Sequence, residues 1–225
     1  MALARGDRMS AMEDVSRITP DVTEMNGWRS VASGEAKESW RDRAELAAAF
    51  LRPGDVVCDL GAGSQPLRIF LPEGSKYIPV DCVDTLPGTH LADFDTPDFT
   101  LPAQNFNVLT ALGVLNWLKD EEAFLARLSE LAEGKFFIFT YDLWAAQRKL
   151  GSLDGCMTVF SRYIRNLAPA IVFRRRVLFT GTFGRGETNG AFRAPATNIY
   201  LKYLRPQEYL VLKLLKLKIM PRWLA

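Results

Sequence analysis

The chain has 225 residues, 48% of them hydrophobic and 24% charged, with 16 Gly, 12 Pro and 11% aromatics. Those proportions exclude a mainly disordered, collagen-like or disulfide-framework chain, and the length admits one large domain or two small ones. The net charge of +2 hides a division: residues 1–144 hold 13 Lys and Arg against 23 Asp and Glu, whereas residues 145–225 hold 15 against 3.

Residues 1–34 are polar and weakly periodic, and read as an N-terminal arm. From Glu35 the pattern changes: Trp40, Ala44, Ala47, Ala48 and Leu51 recur at helical spacing until Arg52-Pro53-Gly54 ends the run. Val56-Val57-Cys58-Asp59-Leu60 then reads as a fully buried strand. After Gly61-Ala62-Gly63-Ser64-Gln65-Pro66 comes a helical turn over 67–71. Residues 77–81 make a second strand, which Pro79 would demote or place near an edge. A short third strand falls within 89–94 and a fourth within 106–115. A helix over 120–131 carries Phe124, Leu125, Leu128 and Leu131 on one face, and 135–141 is the clearest strand of all.

Strand, helix and strand in repetition imply parallel pairing with right-handed crossovers. Beyond Leu143 the pattern predicts a helix near 159–167. Two longer strands follow, over 171–183 and 198–204, joined by the Gly-rich stretch 184–190 into an antiparallel hairpin. Residues 35–205 are therefore expected to form one α/β domain, with 206–225 as a basic and apolar tail.

The segment richest in chemistry is Asp59-Leu60-Gly61-Ala62-Gly63, with Asp81 following 22 residues after Asp59. A buried strand ending in a Gly-x-Gly turn lets a ligand approach the main chain with no Cβ in the way. An acid ending the next strand can accept both hydroxyls of a ribose. A glycine turn needed only for packing is the plainer reading, but the strand before it and the acid after it weigh against that. A dinucleotide fingerprint asks for a third glycine at position 66, which is Pro here. Asp59 would repel a pyrophosphate and attract a sulfonium. Both departures favour S-adenosylmethionine over NAD.

These residues resemble the class I S-adenosylmethionine-dependent methyltransferases. Asp59-Leu-Gly61-Ala-Gly63-Ser-Gln65 is similar to their first motif, with Gln65 where a further Gly is common. Tyr77-Ile-Pro-Val-Asp81 is similar to the second, Ala92-Asp93-Phe94 to the third, and 109–118 to the fourth-strand segment. The resemblance implies a mostly parallel seven-stranded Rossmann-like sheet with helices on both faces and a C-terminal antiparallel hairpin. It also implies that Asp59, Gly61, Ala62, Gly63, Asp81, Cys82, Asp93, Phe94 and Leu112 bind the cofactor. In that scheme Asp81 holds the ribose, Asp93 meets the adenine amino group, Phe94 packs on the ring, and the backbone around Leu112 lines the site. The activity implied is in-line displacement at an already activated methyl, for which the protein supplies alignment and exclusion of water.

On the acceptor side Asp142 follows the fifth strand and reads equally as a proton acceptor or as a cap for the next helix. Tyr141 and Asn116 end neighbouring strands and are expected to shape the pocket, although Asn116 could instead cap the following helix. His90, the single histidine, reads as a surface residue in preference to a base. Arg43 faces the cofactor carboxylate or, as is commoner, is an exposed helix arginine. Arg174-Arg175-Arg176 either lines an anionic acceptor site or lies solvated on an edge strand. No His or Cys cluster has metal spacing. Cys58, Cys82 and Cys156 read as reduced thiols.

The expected acceptor is a small molecule or glycan, anionic in one reading of the basic third, with oxygen the first choice of methylated atom. No Asn-Pro-Pro-Tyr-like element follows the fourth strand, which weakens the case for nucleic acid. The start lacks an apolar signal core, and no apolar stretch approaches the ~20 residues that span a bilayer. A cytoplasmic protein is expected. Its tail over 209–224 either packs on the domain or a partner chain, which is preferred, or lies on an anionic membrane. An NAD-dependent oxidoreductase or epimerase, and an inactive scaffold of the same fold, are the alternatives.

Overall fold

Side chains alternate across a seven-stranded sheet between two apolar layers, and helices close each layer. The computed structural model describes residues 38–184 except 85, 174 and 175. The strands are β1 (Val56–Leu60), β2 (Lys76–Asp81), β3 (His90–Leu91), β4 (Val108–Leu112), β5 (Phe136–Asp142), β6 (Ile164–Phe173) and β7 (Arg176–Phe183). Their order is β3-β2-β1-β4-β5-β7-β6. The first five are parallel, and β7 runs antiparallel to both β5 and β6. The order reverses direction between β1 and β4, which opens a crevice at the carboxyl ends of those two strands.

The helices are α1 (Glu38–Ala48), α2 (Glu121–Leu131), α3 (Leu143–Leu150) and α4 (Leu153–Phe160), with a 3-10 turn at Pro66–Phe70. Period-two alternation sends Phe137, Phe139 and Tyr141 to one layer and Phe136 and Ile138 to the other. The first layer is closed by Phe124, Leu125 and Leu128 of α2 and by Phe160 of α4. Its aromatic rings pack directly, with Phe139 stacked on Phe179 at 5.0 Å and Tyr141 edge-on to Phe160 at 5.2 Å. The second layer is closed by α1, where the small side chains of Ala44 and Ala47 let the helix lie close to the sheet. Asp120 caps α2 by accepting from the Ala123 N–H at 2.9 Å, and Ser152 caps α4 by accepting from Gly155 at 3.0 Å.

Pro79 stands inside β2, which lies near the edge of the sheet beside the two-residue β3. The Val80 carbonyl faces β1, where it accepts from Gly61 and Ala62. Alternation turns the Pro79 nitrogen the other way, at a level that β3 does not reach, since β3 pairs only from Val80 onward. No ladder donor is lost.

Two expectations are corrected. The helix expected near 159–167 is instead the end of α4 followed by β6, because Ile164 and Arg165 pair with Phe183 and Thr182 of β7. The single strand expected over 171–183 is two strands, with Arg174-Arg175 between them, so the hairpin is β6–β7 and Arg176 opens β7. The expected strand at 198–204, the arm at 1–34 and the tail at 206–225 lie outside the described residues. Within them, no helix is long and apolar enough to cross a membrane.

Candidate active site

The loop after β1 is tied to the end of β2. Gly61 and Ala62 N–H groups both donate to the Val80 carbonyl, at 2.8 and 3.1 Å. Three of its residues have positive φ: Gly61 at 69°, Gly63 at 50° and Gln65 at 56°. Gln65 thus takes the left-handed conformation that a glycine would take, at a cost of roughly 1–2 kcal/mol for a residue with a Cβ. Space in front of Gly63 is open, for a Cβ there would meet nothing within 4 Å. Gly61 differs. A Cβ on it would fall on the Val114 side chain, so this glycine admits the loop after β4 rather than leaving a clear approach. The uncluttered bend expected from the sequence holds at the second glycine and is closed on the Cβ side of the first.

Asp81 ends β2 with its carboxylate turned toward this loop. Its Oδ2 accepts from the Gly63 N–H at 2.8 Å and its Oδ1 from Val83 at 3.2 Å. The Cys82 thiol is a further hydrogen-bond partner of this carboxylate, which keeps acceptor capacity for a ligand hydroxyl. Beside it, Ser64 Oγ and Gln65 Nε2 are buried with no hydrogen-bond partner. An adenosyl group fits this set of acceptors, open glycine and unsatisfied polar atoms. Cys82 is half-buried next to Asp81, and its thiol is pushed up to about 12, by burial first and then by Asp81. Asp93 is half-buried and accepts from the Asp95 N–H at 3.0 Å. Phe94 is not at the rim: it is buried edge-on against Phe99 and Phe124, each at 5.5 Å. It therefore supports the β3 end of the site from the core and offers no face to an adenine. Leu112, half-buried at the end of β4, packs against the α1 layer.

Asp59 is also placed differently from expectation. It lies in the sheet with both oxygens occupied, accepting from the Tyr77 hydroxyl at 2.6 Å and from the Thr110 hydroxyl at 2.5 Å. Burial pushes its carboxyl up to about 6; the Thr110 and Tyr77 hydrogen bonds oppose that rise, and the charge of Asp81 adds to it. Asp59 is a strut joining β1, β2 and β4 and not an exposed charge awaiting a cation. The hydroxyls of Tyr77 and Thr110 give no sequence signal of this role, because the contact depends on register.

The residues expected on an acceptor side gather around β5. Asp142 is half-buried, its Oδ1 accepting from the Ala145 N–H at 3.4 Å and its Oδ2 lying 3.9 Å from Arg176 Nε. It thus caps α3 and faces the rim at once. Asn116 is not a helix cap: its Oδ1 accepts from the Asp142 N–H at 3.1 Å and ties the loop after β4 to the end of β5. Tyr141, only 1% exposed, donates to buried Glu121 at 2.9 Å and has no surface to offer an acceptor. Lys149 completes that support, donating to Glu121 at 2.7 Å and to the Leu118 carbonyl at 3.1 Å. His90 is half-buried in β3 with its Nε2 unpartnered. Among the described residues no group of His, Cys, Asp and Glu could hold a metal.

Arg43 is not an exposed helix arginine. It is 9% exposed, donates from Nε to the Ser39 carbonyl at 3.2 Å, and lies on Gly113, where a Cβ would fall on its guanidinium. Burial, and secondly the charge of Arg176, lower its pKa to about 10.

No family model and no curated protein sequence matches the chain. Solved structures do. The N-methyltransferase NodS from Bradyrhizobium japonicum WM9, in complex with S-adenosyl-homocysteine, superposes with a TM-score of 0.55 at 11% identity, covering 72% of this chain and 98% of that one. A possible exported protein from Bordetella parapertussis superposes at 0.50 and 13% identity, covering 65% and 68%. At these identities the likeness is one of fold.

Proposed function

We propose that this chain, whose fold is that of the class I S-adenosylmethionine-dependent methyltransferases, transfers a methyl group to an oxygen of a small molecule or glycan. The observation that carries this reading is Asp81: its carboxylate ends β2 against the Gly63 N–H with acceptor capacity left, and the space on the Cβ side of Gly63 is open. Bound S-adenosylmethionine would supply an activated methyl on sulfur. Asp81 would accept the two ribose hydroxyls, with Gly63, Ala62 and the backbone near Leu112 forming the surrounding wall. Asp93 and Cys82 flank the same end of the site.

Asp142, at the end of β5, is the group available to take a proton from an acceptor hydroxyl. Asn116 fixes the main chain at that residue, and the Glu121–Lys149 pair anchors the loop that carries Asn116. Alignment of acceptor and methyl donor is the main contribution asked of such a scaffold.

Calorimetry with S-adenosyl-homocysteine tests the reading. The parent protein is expected to bind, and Asp81→Ala to weaken binding by about 1–3 kcal/mol, the scale for a charged hydrogen-bond partner. Equal affinities would remove Asp81 from the ribose and the proposal with it. The Val114 side chain packed on Gly61 favours one second reading, a scaffold that keeps the fold without turnover. Binding without transfer of labelled methyl to any acceptor class would support that reading.

A further inference from the structure

On the α1 side of the sheet, where β5 and β7 meet the rim, cationic donors outnumber their acceptors. Arg43 is 9% exposed, donates from Nε to the Ser39 carbonyl, and lays its guanidinium against Gly113. Arg176 begins β7 directly opposite Asp142. Its Nε is buried with no hydrogen bond, since the 3.9 Å to Asp142 Oδ2 is ion-pair distance only. The two guanidinium groups are near enough for the charge of Arg176 to disfavour the charge on Arg43. Thr140, two residues before Asp142 and so on the same face of β5, also has a buried hydroxyl oxygen with no partner. Among the described residues of this patch, two cations and the Thr140 hydroxyl stand with one carboxylate, Asp142. Buried charges in proteins are ordinarily paired.

We propose that Arg43 and Arg176 form a receptor for an oxyanion, a carboxylate or phosphate, carried by the methyl acceptor. Planar guanidinium groups suit such an anion because each presents several N–H donors in a fixed plane. The position of Arg176 argues for the acceptor rather than the cofactor, while Arg43, on Gly113 just past β4, stands two strand steps from β2. Asp81 is on β2, and four strand steps separate β2 from β7 in the order β2-β1-β4-β5-β7. At ~4.8 Å per step that is about 19 Å. A molecule reaching Arg176 enters from the β5–β7 end, where Asp142 stands beside it. This inference rests on the methyl-transfer reading for the identity of the anion's carrier, though not for the existence of the anion site.

The test uses the full chain, with inorganic phosphate, S-adenosyl-homocysteine and methylthioadenosine, the last lacking the cofactor's carboxylate. At matched ionic strength, phosphate is expected to raise the melting temperature by about 2–4 °C. Arg176→Met and Arg43→Met should each abolish that rise, and Arg176→Lys should restore part of it. Arg176→Met should leave S-adenosyl-homocysteine affinity within twofold of the parent. An unchanged phosphate effect in both Met variants overturns the site. A tenfold or greater loss of S-adenosyl-homocysteine affinity in Arg176→Met, with methylthioadenosine binding retained, gives the site to the cofactor and overturns the acceptor assignment. If the parent binds no S-adenosyl-homocysteine while the phosphate effect and its loss hold, the oxyanion site stands and the methyl-transfer reading fails.

Discussion

Asp59 holds an ionisable group where solvent is excluded, and its two hydroxyl partners do not fully offset that burial. Its carboxyl is raised from the ordinary value of 3.8 to about 6. The folded state therefore binds the proton more tightly than the unfolded chain. The resulting stabilisation is complete below about pH 4 and is lost as pH rises through about 6. Relative to Asp59→Asn, the parent is expected to lose about 3 kcal/mol of unfolding free energy across that window, measured by urea titration at several pH values. A flat difference would mean that Asp59 titrates as an ordinary carboxylate. Gln65 supplies a second test at this scale, because its φ of 56° suits glycine better than a side chain. Gln65→Gly should be at least as stable as the parent, and the β-branched Gln65→Val should lose about 1–3 kcal/mol. The opposite order would show that the Gln65 side chain holds the loop.

Strand β6 owes its path to a glycine on its neighbour. The β6–β7 register shifts between Arg165 and Ala168, and Asn166 within that interval has a φ of 51°. The irregularity sits over Gly181 of β7, where a Cβ would meet the Ile164 side chain and lie 2.9 Å from the Arg165 carbonyl oxygen. A bulge that brings backbone this close needs the absent side chain. Gly181→Val is therefore expected to cost at least about 2 kcal/mol in denaturant unfolding. A variant as stable as the parent would show that β6 can shift away freely. The same hairpin sets the proposed acceptor end, since the pairing of β5 with β7 brings Arg176 opposite Asp142.

For the molecule as a whole, the sheet order and the open glycine favour one cofactor class over another. S-adenosyl-homocysteine at about a hundred times its Kd should raise the melting temperature by about 5–10 °C, and NAD at equal concentration should leave it unchanged. A shift with NAD alone would reverse the assignment. The charge division between residues 1–144 and 145–225 meets within the fold at Arg176, which comes from the basic part and faces Asp142 from the acidic one. The basic part thus supplies one of the two guanidinium groups at the rim, and α1 supplies the other.

Much of this architecture is legible in the sequence. Five parallel strands and the helix after β4 follow from buried apolar runs and helical spacing, both of which act over a few residues. The glycine loop and Asp81 were legible for the same reason, because a strand-turn-acid arrangement is local in the chain. What failed was non-local. The strand β6 looked helical at its start, and the run through the arginines looked like one strand, because pairing with β7 and not local preference decides both. Whether a charge at a strand end faces a ligand or the sheet was likewise settled only by register. Register made Asp59 a strut under Tyr77 and Thr110 and buried Tyr141 on Glu121, and the turn after β3 put Phe94 in an aromatic core. Packing across Gly113 and Gly61, from segments far away in sequence, drew in Arg43 and Val114. Sequence by itself determined the order of the strands' hydrophobic faces and the kind of loop between β1 and β2. Tertiary structure alone decided which polar groups meet, since hydrogen bonds and charge pairs act over a few ångströms between residues that the chain keeps far apart.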